Sequence, residues 1–334
     1  MTLSKKTISI IIPVYYNAES LWELFERFQL LELKLQARSV ALELIFVDDG
    51  SGDNSFEVLL AIKKQRPETK LVRLTRNFGG TASSWSGFPY ATGDCIAVVA
   101  ADLQEPPEQI LPMLDAWEQG HKLVFSHRRS RKDPFLTKLL AKLYYKVLDA
   151  LVVKGFPQGG TDMILMDKSL LPYVKGLAGR INYSLYLFWL GFETKFLPYD
   201  RAERKYGKSR WTFKKKFFYF IDTITGFSVT PLRLVSGIGL GVSLVSLIYG
   251  IKLVTYALLN GIEVPGFITL AVLISFSTAI IVTMLSIIGE YLWRIFEITS
   301  HHPKSVIAKN ISGTRFILGC NIEVSDVSTE YSIS

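Results

Sequence analysis

Polar side chains that could bind a ligand follow four apolar stretches in the N-terminal half of the chain. They are Tyr15 to Asn17, Asp48 with Asp49, Arg76 with Asn77, and Asp102 with Gln104. Carboxylates and amides can hold hydroxyl groups, ring N–H groups or a cation, and arginine pairs with phosphate oxygens. Every strand ends in a polar turn of some kind, but four such ends in succession favour a ligand site.

A fifth apolar stretch predicts a strand over residues 123–129, which runs into a basic group. The group consists of Arg128, Arg129, Arg131 and Lys132. Because guanidinium groups make paired, charge-assisted bonds to phosphate, it suits a phosphorylated substrate. No Gly-x-Gly-x-x-Gly or Walker-type loop follows any of the five stretches, which argues against dinucleotide and P-loop sites. The phosphates must then be held in another way, for which a metal ion is the natural candidate.

The elements that position these residues follow from the apolar patterning. Four β-branched or near-continuous apolar stretches predict buried strands over 7–16, 42–50, 70–77 and 95–102. Helices are predicted over 20–36 and 55–65, the first capped by Ser20 with Glu23 completing a capping box. Strands that alternate with helices predict an α/β domain with a mostly parallel sheet covered on both faces. Ligands collect at the carboxyl ends of the strands in such a sheet.

Composition points to a chain that lies partly in lipid. The 334 residues are 49% apolar and carry a net charge of +8. Cys95 and Cys320 are the only cysteines, too few for a disulfide framework, so we expect a reducing compartment. The N-terminal apolar run is short and broken by Pro13, unlike a signal peptide. The N-terminal half is therefore expected in the cytoplasm.

Two long apolar segments lie in the last third of the chain. Residues 234–260 contain one charge, Lys252, and residues 267–288 contain none. Since about 20 helical residues cross a hydrocarbon core, both are predicted to span a membrane, with buried core helices as the alternative. The loop between them lacks Lys and Arg, whereas residues 201–216 are strongly basic. The positive-inside rule places both chain ends in the cytoplasm.

The segments around the spans complete the predicted organisation. Residues 213–230 place aromatic and aliphatic residues at helical spacing beside a lysine cluster, typical of a helix in the headgroup layer. Residues 135–152 are either a second such helix or an ordinary surface helix. The predicted domains are a cytoplasmic α/β domain at 1–212, an amphipathic interfacial helix at 213–230, two transmembrane helices at 231–298, and a partly disordered cytoplasmic tail at 299–334.

The basic clusters lie beside the membrane segments, and no nucleic-acid-binding module is recognisable. We therefore expect a membrane partner and no nucleic acid. Small residues allow close helix approach, so Gly237, Gly239 and Gly241 would allow a homo-oligomer to form through the spans.

Several motifs, taken in chain order, resemble those of the polyisoprenyl-phosphate glycosyltransferases. They are IIIPVYYNAESL, IFVDDGSGDNS, VRLTRNFGG, AADLQEPPE, LGFETKFLPYDRAERKYGKSRW, GFSVTPLRL and IIGEYLWRIFEI. The polyisoprenyl-phosphate glycosyltransferases are inverting family 2 enzymes with a GT-A (Rossmann-like) fold, and dolichol-phosphate mannose synthase is one of them. The resemblance covers roughly residues 7–308, and the two terminal spans are most similar to the bactoprenol glucosyltransferase branch.

The resemblance implies a site for a nucleotide sugar at the strand ends. Its contacts would be Pro13, Tyr15, Asn17, Asp48, Asp49, Arg76, Asn77, Gly79, Ala101 and Asp102. It also implies that Asp102 and Gln104 hold Mg²⁺ or Mn²⁺ at the diphosphate. Either ion is a hard cation that prefers oxygen ligands.

The resemblance further implies a site for the phosphate of a polyisoprenyl lipid. Its residues would be Arg128, Arg129, Arg201, Arg204, Ser209 and Arg210. The catalytic residues would be Asp102, Asp162, Arg128 and Arg129. Asp162 could orient a sugar hydroxyl or the acceptor, or it could simply cap a helix.

Three positions depart from the family pattern. Ala100 replaces the usual first Asp of the metal motif, Asn17 replaces a Glu, and Ile164 replaces an Arg. The expected function is inverting transfer of a hexose, glucose from UDP-glucose, onto undecaprenyl phosphate at the cytoplasmic membrane face. Transfer of mannose from GDP-mannose is one alternative. A catalytically silent membrane scaffold that retains the nucleotide-sugar fold, suggested by Ala100 and Ile164, is the other.

Overall fold

The computed structural model describes residues 6–129, 135–157, 160–175, 183–202, 205–206, 220–224, 266–299 and 305–311, and part of 226–259. The chain divides into two compact units. The first comprises Met1–Asp149, Val153–Phe213 and Pro303–Ser334, and the second comprises Ala150–Val152 and Lys214–His302.

The first unit is built on an 8-stranded sheet in the order β7-β5-β6-β4-β1-β2-β3-β8. The strands are β1 Lys6–Val14, β2 Val40–Asp48, β3 Lys70–Leu74, β4 Cys95–Val98, β5 Leu123–Arg128, β6 Met163–Asp167, β7 Thr194–Tyr199 and β8 Ile307–Ile311. Strands β6 and β8 run antiparallel to their neighbours, and the remaining pairs are parallel. The predicted mostly parallel sheet is therefore confirmed.

Helices cover both faces of this sheet. They are α1 Ala18–Gln36, α2 Ser55–Gln65, α3 Gly80–Gly87, α4 Ile110–Glu118, α5 Phe135–Leu151, α6 Leu171–Lys175 and α7 Tyr183–Trp189. Alternate residues of β1 point to opposite faces: Ile10 packs with Phe28 of α1, and Ile11 packs into a second core with Phe88. Burying each such side chain stabilises the fold by about 1.5–3 kcal/mol. This two-sided burial explains the near-continuous apolar strands.

The start of α1 differs from the sequence prediction. The helix begins at Ala18 after Asn17, so Ser20 is not the N-cap, and the predicted capping box with Glu23 is wrong. The Ser20 hydroxyl instead donates to the carbonyl oxygens of Asn17 at 3.1 Å and Ala101 at 2.8 Å. A tertiary hydrogen bond to the turn after β4 has replaced the local capping interaction.

Three strands go beyond the sequence prediction: β6, β7 and β8. Strand β8 lies within the segment 299–334, for which the sequence predicts a tail. It pairs antiparallel with β3, and Thr75 N donates to Val306 O at 2.9 Å. The sheet unit thus extends beyond 1–212, because the open edge of β3 offers hydrogen-bonding groups that a returning segment can pair.

In the second unit, α8 spans Phe267–Thr299 and contains the apolar window Phe276–Trp293, with mean hydropathy 1.5 and none of it buried. It is the one helix, among residues the structure describes, that is long and apolar enough to cross a membrane. The first predicted span and the interfacial helix are described only in part, so two spans stay a prediction. A Cβ on Gly239 would lie 2.8 Å from the Met284 sulfur. The absence of a side chain at Gly239 therefore allows the close approach of Met284, which belongs to α8 of the same chain.

Candidate active site

The turn after β1 is held by its own polar side chains. Pro13, one residue before the end of β1, lies opposite Val47 of β2. Asn17 Oδ1 accepts from Tyr15 N at 2.9 Å, and Asn17 N donates to Ser55 Oγ at 2.9 Å. Tyr16 has a φ of 57° and is 45% exposed. The turn therefore presents an aromatic pair at the carboxyl edge of the sheet, with Asn17 shaping the backbone beneath it.

Asp48, at the end of β2, is fully buried. One of its oxygens accepts from Ser51 N at 3.1 Å, and the other lies 3.2 Å from Arg73 Nε. Burial raises the pKa of Asp48, and the Ser51 bonds and the Arg73 charge oppose that rise. Arg73 in turn lies over the Phe56 ring at 4.5 Å. Asp48 is thus committed to the loop that follows it.

Asp49 organises the loop after β3. Its carboxylate accepts from Phe78 N at 2.7 Å and Gly79 N at 2.9 Å. Burial raises the pKa of Asp49, while these backbone bonds favour the ionised form. Gly50 has a φ of +65°, and a Cβ there would lie 2.6 Å from the Arg76 carbonyl carbon. Only glycine allows this approach, which brings the two loops together.

Arg76 and Asn77 lie at the exposed tip of that loop. The Arg76 guanidinium lies 4.1 Å from the centre of the Phe78 ring, and its Nη1 donates to Asn77 O at 3.3 Å. Stacking on an aromatic ring holds an arginine in place while leaving its edge for hydrogen bonds. The Arg76 guanidinium is accordingly held at the exposed tip of the loop.

The turn after β4 carries Asp102. Leu103 adopts a left-handed conformation, with a φ of 59°, and Gln104 N donates to Asp102 Oδ1 at 3.2 Å. The side-chain oxygen of Gln104 accepts from Arg201 Nη2 at 2.8 Å, and Ala202 N donates to Gln104 O at 3.1 Å. The segment after β7 is thereby joined to the turn.

This geometry bears on the predicted metal. Within the described ranges, no three His, Cys, Asp or Glu side chains form a group that could hold one. Because Arg201 occupies the Gln104 amide oxygen, the carboxylate of Asp102 is the predicted ligand that the arrangement supports. Such a donor set fits Mg²⁺ or Mn²⁺ that takes most of its ligands from diphosphate oxygens and water.

Asp162 is the centre of a hydrogen-bonded cluster. Because β6 is antiparallel, the residue preceding it lies at the carboxyl edge, and Asp162 N donates to Ser126 O at 3.0 Å. Arg128 forks onto its carboxylate with Nε at 2.8 Å and Nη2 at 2.7 Å. Tyr199 OH donates at 2.9 Å, and Arg201 Nη1 lies 3.7 Å away. Asp162 thus orients two guanidinium groups and does not cap a helix.

The cluster shifts the pKa values of its members. Burial opposes the charge of Arg128, but the Asp162 carboxylate raises the pKa of that guanidinium overall. Burial, with the Glu105 and Asp162 charges, raises the pKa of Tyr199. Tyr199 therefore remains a hydrogen-bond donor at neutral pH.

The remaining predicted acceptor residues fall into two groups. Arg129 is 63% exposed and lies 3.3 Å from Asp200 Oδ2, so the structure places it at the periphery of the Asp162 cluster. Arg204, Ser209 and Arg210 lie outside the described residues. In the segment after β7, Lys205 Nζ donates to Glu23 Oε1 of α1 at 2.7 Å.

Sequence reasoning missed Glu105 and Tyr199. Glu105 is 6% exposed, and its Oε2 accepts from Ala100 N at 3.1 Å. Burial raises its pKa to about 8, and Asp162 and Asp102 add to the rise. A carboxyl group before two prolines was a visible signal for Glu105. Tyr199 gave none, because only the pairing of β7 with β5 sets it opposite Arg128.

The sequence of the chain matches a known family. The profile named glycosyl transferase family 2 matches residues 9–172. An uncharacterized glycosyltransferase of Synechocystis sp. is 34% identical over 90% of this chain and 94% of its own length. The bactoprenol glucosyl transferase of Shigella phage SfV is 30% identical over 90% of this chain and 97% of its own.

A solved structure is also similar. Glucosyl-3-phosphoglycerate synthase from Mycobacterium tuberculosis, in complex with Mn²⁺, UDP-glucose and phosphoglyceric acid, is 16% identical, with a TM-score of 0.46, over 66% of this chain and 78% of that one. The near-full-length relatives decide the assignment: this chain belongs to glycosyl transferase family 2.

Proposed function

We propose that this chain transfers a hexose, glucose from UDP-glucose, to the phosphate of a polyisoprenyl lipid such as undecaprenyl phosphate. The observation that carries the proposal is the similarity to a bactoprenol glucosyl transferase over 90% of the chain. The match is too long to be confined to the family 2 region at 9–172. It therefore includes part of the apolar C-terminal third, and an apolar segment suits an acceptor that lies in a membrane.

The reaction needs little proton transfer from the protein. The phosphate of the acceptor is largely ionised near neutral pH, since its second pKa is about 6. One of its oxygens attacks the anomeric carbon opposite the leaving group. The new carbon–oxygen bond forms as the bond to the β-phosphate oxygen breaks, the nucleoside diphosphate leaves with the electron pair, and the configuration inverts.

The described residues divide this work between two sides of the sheet edge. In this proposal the loop built on Asp49, with Arg76 at its tip, would contact the nucleoside; the bonds that hold the loop support this. The cluster of Arg128, Asp162 and Arg201 would contact the phosphates, supported by its two guanidinium groups. Fixed guanidinium groups stabilise the charge that develops on a leaving diphosphate, and they do so without reorganising during the reaction. In many enzymes this electrostatic stabilisation contributes more to the rate than any other effect.

Asp102 would hold Mg²⁺ or Mn²⁺ together with oxygens of the donor. When bound, the ion supplies Lewis-acid neutralisation of the diphosphate. The chain's own contribution is the turn that fixes Asp102, in which Gln104 N donates to its carboxylate. The Arg201 bond to Gln104 additionally ties the segment after β7 to this turn.

We place the reaction at the cytoplasmic membrane face, with both chain ends on that side. The basic residues that precede the first apolar segment support this orientation. The long exposed apolar window of α8 is consistent with insertion into lipid.

A silent scaffold is the second candidate, and Ala100 is the observation that favours it. The usual first carboxylate of the metal motif is absent there, and the Gln104 amide is engaged by arginine. If the chain were silent for this reason, Ala100→Asp would produce turnover where the natural protein has none.

The test uses the purified full chain in detergent or nanodiscs with undecaprenyl phosphate, Mg²⁺ or Mn²⁺, and labelled UDP-glucose. We expect a labelled lipid product and release of UDP. GDP-mannose and other donors run in parallel identify the sugar. Asp162→Asn should lower turnover on the order of 10²-fold, whereas Asp200→Asn, which removes an exposed partner of Arg129, should change it little. No lipid-linked sugar from any donor would count against the proposal.

A further inference from the structure

Glu105 is a buried carboxyl group at the end of the turn that carries Asp102, and the mechanism above gives it no role. Its exposure is 6%, against 38% for the side chain of Glu108 three residues on. Glu108 pairs with Arg27 through two hydrogen bonds. Glu105 instead accepts a hydrogen bond from the backbone N–H of Ala100 at 3.1 Å.

That bond closes the turn which carries Asp102. The chain leaves β4 after Val98, and Ala100 and Glu105 stand at the two ends of the turn. Within it, Leu103 is held at a φ of 59°. A left-handed conformation is unfavourable for a residue other than glycine. The bond from Ala100 to Glu105 and the bond from Gln104 N to Asp102 offset that cost.

Two further features favour a role in the site over simple filling of the core. A core carboxyl is costly to bury, and an apolar side chain of similar size would pack there without that cost. When it is ionised, Glu105 also interacts electrostatically with Arg128 and Tyr199, the partners of Asp162. Its carboxyl group is therefore close enough to the Asp162 cluster to act on it.

We propose that Glu105 is a positioning residue: by accepting the hydrogen bond from Ala100, it fixes the turn that directs Asp102 at the metal–diphosphate group. This inference rests on the proposed function and adds to it a residue that the motif Asp102-x-Gln104 does not contain. Position 100 then contributes its backbone N–H, which donates to Glu105. Alanine and aspartate provide this N–H equally well.

The test compares Glu105→Gln with Glu105→Met in the full chain. Glutamine keeps an oxygen that can accept from Ala100, and methionine keeps the volume without it. Glu108→Gln is the matched control from the same segment. Binding of Mn²⁺ in the presence of UDP is measured by electron paramagnetic resonance, which needs no acceptor and no turnover. Transfer rates give KM for the lipid phosphate, and thermal melting reports stability.

We expect Glu105→Met to weaken Mn²⁺ binding on the order of tenfold, the effect of losing a buried hydrogen-bond acceptor, with KM for the lipid little changed. Glu105→Gln should stay within about threefold of the natural protein. If Glu105→Met does not fold, Glu105→Ser, whose hydroxyl is too short to reach Ala100, takes its place.

Unchanged Mn²⁺ binding in the methionine or serine variant, with only a lower melting temperature, would show that Glu105 is structural and overturn the inference. Equal losses in the glutamine and methionine variants would also overturn it, since the acceptor oxygen would then not matter. A natural protein that binds no Mn²⁺ with UDP would contradict the proposed metal chemistry itself, an outcome distinct from both.

Discussion

At the scale of single residues, the carboxylates of this chain differ in what they can do. Asp48 is held by Ser51 N and by Arg73 of β3, and Asp49 is held by the backbone of the loop after β3. Asp162 holds two arginines and a tyrosine. Asp102 lies on a turn at the sheet edge, half-buried. Residue type alone does not separate these roles; the partners of each carboxylate do.

Asp102→Ala should abolish transfer, with a loss on the order of 10²-fold or more, because the one predicted metal ligand with a carboxylate is removed. Ala100→Asp should keep activity, since position 100 contributes through its backbone N–H. Turnover of labelled donor and the Mn²⁺ concentration for half-maximal rate are the measurements. Full activity of Asp102→Ala would show that the carboxylate only ends a strand.

The raised pKa of Glu105, about 8 against an ordinary 4.5, predicts a pH-dependent stability. The folded protein holds a proton there that the unfolded chain releases, so the contribution is complete below about pH 4.5 and is lost as the pH rises through about 8. Glu105→Gln does not titrate. In metal-free buffer, the melting temperature of the natural protein relative to this variant should fall from about pH 5 to about pH 8. A constant difference would contradict the shift.

At the scale of elements, the antiparallel strands decide which residues meet. Strand β6 lies between β4 and β5 and runs antiparallel to both. The start of β6 therefore lies at the edge where β5 ends, which brings Asp162 next to Arg128. Strand β7 runs parallel to β5 and sets Tyr199 opposite Arg128. Strand β8 covers the edge of β3, just before the loop that Asp49 holds.

Removal of β8 should weaken donor binding. Deleting residues 305–334 takes away the bond between Thr75 N and Val306 O and the 2.6 Å contact between the Ser86 and Ser305 hydroxyls. These bonds support the donor loop without touching the donor, so we expect only part of their strength, about 1 kcal/mol each, to reach donor binding. A loss equal to one such bond raises KM for the nucleotide sugar about fivefold. Deleting only 312–334 keeps β8 and serves as the control. Equal donor KM in both truncations would show that β8 does not support the loop.

At the scale of the whole molecule, a sheet unit and an apolar unit share one chain. The prediction of two spans makes the short loop at 261–266 the one segment between them on the far side of the membrane. A single cysteine in that loop reports its location, and the native Cys320 reports the C-terminus.

Glu263→Cys, in a chain with Cys320→Ser, should react with a membrane-impermeant maleimide in intact cells. Cys320 in the natural chain should react only after the membrane is opened, because the positive-inside rule places it in the cytoplasm. Cys95 is buried, so it should contribute little labelling in the variant or in the natural chain. Labelling of Cys320 in intact cells would reverse the predicted topology.

The sequence by itself determined helices α1 and α2 and the near-continuously apolar strands β1 to β4, since burial on both faces of a sheet leaves a continuous pattern. Helix α2 and strand β5 match their predicted ranges closely. The sequence likewise identified the polar ends of these strands, because ligand groups in such a sheet come from residues at the carboxyl edge. The resemblance to a known family then predicted roles for Asp102, Asp162 and the arginines.

The tertiary structure decided the direction of β6 and β8, the cap of α1, and the partners of each charged side chain. Strand direction depends on pairing between distant segments, which leaves no local periodicity. Ser20 looked like a cap because its local neighbours fit, yet the carbonyl of Ala101 competes for its hydroxyl. Glu105 became visible as part of the site for the same reason: only the folded turn brings its carboxyl group to the N–H of Ala100.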